Sequence, residues 1–106
     1  MVSNVAIVPR IPPGYTSVWA QYTIRVTAGT RDRLAIALKA EGIPTAIYYQ
    51  KPLHRQGAYA RFPVVEGGLP VSDRLAQEVI SLPMHAYLDA PTQDRIIEAV
   101  QRAVAR

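Results

Sequence analysis

The chain contains no cysteine, which excludes disulfides, thiolate catalysis and cysteine-built metal sites. It has only two histidines, His54 and His85, far apart in the chain and without carboxylates at ligand spacing, so no metal centre is expected. No apolar run approaches the roughly 20 residues of a membrane-spanning helix, and the first residues lack a charged n-region followed by an apolar h-region. A chain that stays in the cytoplasm, away from the membrane, is the expectation. Lysine is scarce: ten of the twelve basic residues are arginine, set against 8 acidic residues for a net charge of +4. Arginine suits bidentate contact with carboxylates and phosphates. These arginines are scattered, several with Asp or Glu nearby, which describes a solvated surface rather than the dense stripe of a specific nucleic-acid binder.

Self-contained catalytic machinery is also absent. No glycine-rich phosphate loop occurs, because Gly67 and Gly68 stand alone before Leu69 and Pro70. None of the four serines has a nucleophile-elbow context, and Ser72 reads better as a helix cap. No catalytic residue is therefore assigned within the chain.

What is present describes one folded domain: 106 residues, 49% of them apolar, suffice for a core. Val5 to Val8 form an apolar burst fit for a short edge strand. Pro9, Pro12, Pro13 and Gly14 then impose an extended turn, since proline lacks an amide donor and keeps its predecessor out of the helical region. "VWAQYTIRV", 18 to 26, alternates apolar and polar residues at period two, predicting a strand with Trp19 on the polar face. A helix is predicted from Arg31 to about Glu41, capped by Thr30 and closed by Gly42, with Leu34, Ala35, Ala37 and Leu38 inward. "IPTAIYY", 43 to 49, reads as a second strand, with Pro44 near its start. Ser72 opens a short helix with Leu75, Ala76 and Val79 inward, "ISLPM", 80 to 84, is a third strand, and a last helix runs from about Pro91 to Ala105 with Asp89 or Ala90 near its cap. The stretch between Val26 and Ile43 is long enough for a crossover between parallel strands, with the third strand antiparallel. The expected fold is α+β, a two-layer sandwich with a small, mixed or antiparallel sheet of three to four strands and helices on one face.

The densest cluster of functional side chains is "YYQKPLHRQGAY", 48 to 59, where Pro52 and Leu53 hold a turn ahead of His54. Two readings of His54 stand at this point: a ring that reaches a ligand, or one that bonds only the loop. His85, at the end of the third strand, is expected at the same edge of the sheet, with a plain surface role as the simpler reading.

"GIPTAIYYQKPLHRQGAY" followed by "LPVSDRLAQEVISLPMHAYLD", with "SVWAQYTIRV" upstream and an amphipathic helix at the end, resembles the C-terminal domain of the DegT/DnrJ/EryC1/StrS sugar aminotransferases. Those motifs span most of residues 17 to 104. Their wording is most similar to enzymes that aminate a 3-keto uronic acid derived from UDP-N-acetylglucosamine. The resemblance implies the small domain of the aspartate aminotransferase fold over residues 17–106, with 1–16 leading in from a large N-terminal domain. It implies pyridoxal phosphate in the complete enzyme, held by a lysine of that large domain, and a homodimer that passes the amino group of glutamate to a nucleotide sugar on a route to surface polysaccharide and lipopolysaccharide. By residue-level match it puts Tyr49, Lys51 and His54 on the substrate side, with His54 a hydrogen-bond donor to the sugar or its diphosphate. Neither Lys39 nor Lys51 stands in the surroundings of the family's Schiff-base lysine, so the chain alone is expected to be inactive and to bind no cofactor. The runner-up is a free-standing, non-catalytic binding or interaction module that reuses the domain.

Overall fold

The computed structural model describes residues 2–105. Its strands are β1, Tyr22–Arg25, and β2, Val79–Leu82, paired antiparallel with Tyr22 opposite Leu82 and Arg25 opposite Val79. Its helices are α1, Thr30–Ala40, α2, Pro70–Glu78, and α3, Ala90–Ala105. Ile7 adds a single antiparallel bridge outside β1 at Arg25, and Ala46 adds another outside β2 at Ser81. The segment through Ala46 therefore runs in the direction of β1 with β2 between them, which is the split α+β arrangement that the segment order predicts.

The outer strands are shorter than the apolar patterns suggest, and the causes are local. Pro44 has no amide to give to a ladder, so the 43–49 segment pairs only through Ala46, by bonds of 3.1 and 2.7 Å to Ser81. Trp19 has a φ of 51°, a conformation that ends the extended chain before β1. Its ring centroid lies 5.2 Å from that of Tyr22, a residue of the opposite parity, so the alternation that begins at Tyr22 does not reach back to Trp19. Pro83 likewise follows directly on the last residue of β2.

One face of the sheet carries the core. Ile24, Val26, Ile80 and Leu82 are buried with Leu34 and Leu38 of α1 and Ile96, Ala99, Val100 and Ala103 of α3. On the odd-numbered positions the Thr23 and Ser81 hydroxyls meet at 2.8 Å, and Arg25 pairs with Glu78 at 2.8 Å. Val2 is buried in the same core, and Val5, Ala6 and Val8 pack against it.

Helix ends show where simple capping rules failed. α1 begins at Thr30 with Gly29 at the cap, φ 85°, and no side-chain cap bond; the Thr30 hydroxyl instead meets that of Thr27 at 2.8 Å. A glycine takes that left-handed conformation without the clash a Cβ would meet, so the chain turns into the helix one residue earlier than expected. α2 begins at Pro70, whose fixed φ and missing amide suit a first helical position, and this leaves Ser72 inside the first turn rather than at the cap. The other two ends follow the sequence. The Gly42 and Ile43 amides donate to the Lys39 and Leu38 carbonyls at 3.0 and 2.9 Å, closing α1 through a left-handed Gly42. Asp89 Oδ1 accepts from the Thr92 amide at 2.9 Å, and the Thr92 hydroxyl first, with that amide second, holds its carboxyl below the usual carboxylate range.

Arg31, 4% exposed, ties the pieces together. It donates to the carbonyls of Ala76 and Val79 at 2.8 and 3.1 Å, satisfying the exit of α2, while its Nε pairs with Asp32 at 2.7 Å. At the opposite end of α1, Arg95 donates to the Glu41 carbonyl at 2.8 Å and Arg102 to the Glu41 carboxylate at 2.9 Å, fastening α3 to α1.

Candidate functional site

The loop that leaves the Ala46 bridge runs through residues 48–69 to α2 as a succession of turns. Pro52, with a φ of −66°, starts a single 3-10 turn over Leu53–Arg55, closed by the Arg55 amide on the Pro52 carbonyl at 2.9 Å. The Gln56 side chain donates to the Lys51 carbonyl at 2.9 Å, and further turns follow at Tyr59 and Phe62. Proline thus sets the start of the turn, and side-chain bonds stand in for the missing ladder.

This turn delivers His54 and Arg55 together to one carboxylate. His54 Nε2 lies 2.8 Å from Asp73 Oδ1, and Arg55 grips the same group through Nε to Oδ1 and its terminal nitrogen to Oδ2, both at 2.9 Å. Asp73 stands in the first turn of α2, where the helix's positive end also favours an anion. The Arg55 hydrogen bond is the main reason that the Asp73 carboxyl is held at about 2; partial burial opposes the shift, and the His54 bond and the Arg55 charge add to it. The same bond raises the Arg55 guanidinium above its ordinary value.

The three residues expected on the substrate side share the loop but differ in setting. His54 is turned toward α2, its side chain 14% exposed. Tyr49 is 72% exposed and makes an edge-to-face contact with Tyr48 at 5.6 Å, and Lys51 is exposed. The loop joins all three; only His54 enters a polar cluster. Asp73, the hub of that cluster, was passed over by sequence reading. An acidic residue in a helix's first turn is already explained by the helix itself, so nothing in the pattern marks it as the partner of a histidine nineteen positions earlier.

His85 does not meet His54. The Ala46–Ser81 bridge is antiparallel, so the loop leaves the sheet beside the start of β2 whereas His85 follows its end. The expectation of a common sheet edge is corrected accordingly. His85 Nδ1 accepts from the Tyr87 amide at 3.2 Å, and the residue lines a mostly apolar cleft of about 390 Å³ with Val8, Tyr22, Leu82, Met84 and Ile97. A second, more open cleft of about 260 Å³ lies between Gln21, Thr45, Tyr48, Ser81 and Met84.

These residues do not fit a covalently held pyridoxal phosphate. Lys39, in the last turn of α1, and Lys51 are both exposed, and neither lines either cleft. No helix among the described residues is long and apolar enough to cross a membrane.

Comparison with known proteins covers almost the whole chain. It is 46% identical over 81 residues, 76% of its length, to the UDP-2-acetamido-2-deoxy-3-oxo-D-glucuronate aminotransferase of Pseudomonas aeruginosa, of which it covers 21%. It is 38% identical over 99 residues, 93% of its length, to a pleiotropic regulatory protein of Geobacillus stearothermophilus, of which it covers 26%. A crystal structure of a DegT DnrJ EryC1 StrS aminotransferase from Brucella abortus superposes with a TM-score of 0.90 at 47% identity, over 99% of this chain and 28% of that one. The chain thus spans about a quarter of the length of the relatives it matches. Residues 3–101 match the family as a whole, and the chain belongs to the DegT/DnrJ/EryC1/StrS aminotransferase family.

Proposed function

We propose that this chain acts as the small C-terminal domain of a pyridoxal-phosphate-dependent nucleotide-sugar aminotransferase, which moves the amino group of glutamate to a 3-keto sugar nucleotide. The observation that carries this reading is a family match over nearly all of the chain but only about a quarter of its relatives. Residues 1–16 lead in from a large cofactor-holding domain, and residues 17–106 form the small one. Pyridoxal phosphate supplies the electron sink for amino-group transfer, and it is held by a lysine elsewhere in the polypeptide. The complete enzyme is a cytoplasmic homodimer that serves surface polysaccharide and lipopolysaccharide assembly.

In that enzyme the loop forms one wall of the cleft. Lys51, on its flexible stem, offers a mobile positive charge for a diphosphate. Tyr49 offers an apolar ring face and a hydroxyl, a combination suited to a sugar or a base. His54 is held in place by Asp73 and supplies a fixed polar contact beside them. All three bind and orient; none of them performs a bond-breaking step.

Two measurements test the reading. Incubating the 106-residue chain with pyridoxal phosphate should give no absorbance band that borohydride fixes, whereas a stoichiometric lysine-linked band would overturn it. Adding the large domain of a matching relative should restore transamination of a UDP-linked keto sugar; a complex that forms without activity points instead to a free-standing interaction module.

A further inference from the structure

We propose that Asp73 is a positioning residue that fixes His54 in a single tautomer, with the proton on Nε2 and the lone pair of Nδ1 turned outward as a hydrogen-bond acceptor. Asp73 Oδ1 lies 2.8 Å from Nε2, and both carboxylate oxygens already accept from Arg55 at 2.9 Å. A carboxylate only accepts, so the nitrogen facing it must carry the hydrogen. A neutral imidazole has one ring proton, and with that proton on Nε2 the other nitrogen offers a lone pair. Among the described residues Nδ1 has no hydrogen-bond partner and no buried side-chain nitrogen or oxygen lacks one, so Nδ1 reaches solvent. The Arg55 guanidinium matches the Asp73 charge by a planar two-point contact, which holds the carboxylate in register independently of the histidine.

The consequence concerns what the loop can recognise, and it rests on the reading that His54 faces a nucleotide sugar. An outward Nδ1 lone pair accepts from a sugar hydroxyl or a base N–H and repels the oxygens of a diphosphate. His54 is then a selector for a donor group on the ligand, the reverse of the donor role that the sequence suggested. The diphosphate contact passes to cations such as Lys51. A carboxylate that sets a histidine tautomer is a known device in hydrolase triads, where replacement by asparagine leaves the geometry intact but yields the wrong tautomer.

The test reads the tautomer directly and needs no ligand. The chain is labelled with ¹⁵N-histidine, His85→Gln assigns the two rings, and two-bond ¹H–¹⁵N correlations are recorded at pH 8. The expected spectrum shows His54 as one tautomer, Nε2 protonated and Nδ1 bare. Asp73→Asn, whose amide can face Nε2 with a donor, should shift His54 toward the Nδ1-protonated form, and Asp73→Glu should restore the original pattern. Averaged tautomers or a doubly protonated ring in the unsubstituted chain would overturn the proposal, as would an asparagine variant with an unchanged ring. Titration with UDP-N-acetylglucosamine separates this from the functional reading. A fixed tautomer whose Nδ1 resonance ignores the nucleotide sugar keeps Asp73 as the positioning group and removes His54 from the substrate site.

Discussion

Asp73 also sets a pH dependence. Its folded carboxyl sits at about 2, below the ordinary value of about 3.9, so the folded chain favours the anion. The stabilisation is fully present above about pH 4 and is lost as the pH falls toward 2, because protonation removes the acceptor for Arg55 and His54. Asp73→Asn should therefore have a lower urea midpoint than the parent chain at pH 6, and the gap should close between pH 4 and pH 2. A gap that persists at pH 2 would assign the effect to something other than ionisation. The side chain is about a third exposed, so the gap should be modest. Arg31 is the opposite case, buried and bonded to two carbonyls. Arg31→Met strands those acceptors and should cost roughly 2–3 kcal/mol in urea unfolding, with Arg31→Lys in between. Neither role was legible in the sequence. Arg31 looked like one more surface arginine, because the carbonyls it satisfies lie across the fold, 45 and 48 positions away. His54 was legible as a functional candidate, and its chemical polarity was not, because that depends on which nitrogen meets Asp73.

At the scale of elements, the periodicities that cover a whole buried face were reliable. Leu34 and Leu38 in α1 and Ala76 in α2 are buried where their spacing put them, and Ile24 is buried on the apolar side of the alternation in β1. Element ends were less legible, since several residues there compete for one role. Thr30 and Ser72 look like caps, yet Gly29 and Leu69 hold those positions. A substitution series should separate appearance from role. Thr30→Ala and Ser72→Ala remove no cap bond and should each stay within about 0.5 kcal/mol of the parent. Asp89→Ala removes a made cap bond and should cost about 1 kcal/mol. Gly42→Ala forces a Cβ into a φ of 76° and should cost roughly 1–2 kcal/mol, although nothing lies within 4 Å of that Cβ. If Thr30→Ala proves as costly as Asp89→Ala, the assignment of Gly29 as the cap fails. The sheet shows the same contrast. Alternation located the strands, but pairing was cut back wherever Pro44, Pro83 or the left-handed Trp19 removed a donor or bent the chain.

The whole molecule exposes more than a protein of its size usually does. A compact 11.7 kDa chain has an accessible surface of about 5,900 Å², whereas this one has 7714 Å². Its radius of gyration is 15.6 Å against about 13 Å for a compact domain of this length. The surplus of about 1,800 Å² exceeds the roughly 800 Å² that one partner buries in a standard interface. Exposed apolar side chains recur along one stretch of chain, where Tyr49, Leu53, Tyr59, Phe62, Val64 and Val65 are each about half exposed or more. In the proposed enzyme the occupant of this surface is the rest of the same polypeptide, about three-quarters of the relatives' length. Without that occupant the loop should drive weak association between copies of the chain, since exposed apolar patches of this extent mark interaction surfaces. Sedimentation velocity over a range of concentrations should show a rising average mass. Leu53→Asp combined with Phe62→Asp, both exposed and outside the buried core, should return it to that of a monomer without changing the urea midpoint. The same pair should abolish complex formation with a relative's large domain. A chain that remains monomeric at high concentration, and a double variant that still binds the large domain, would together show that this loop is not the face that the rest of the enzyme covers.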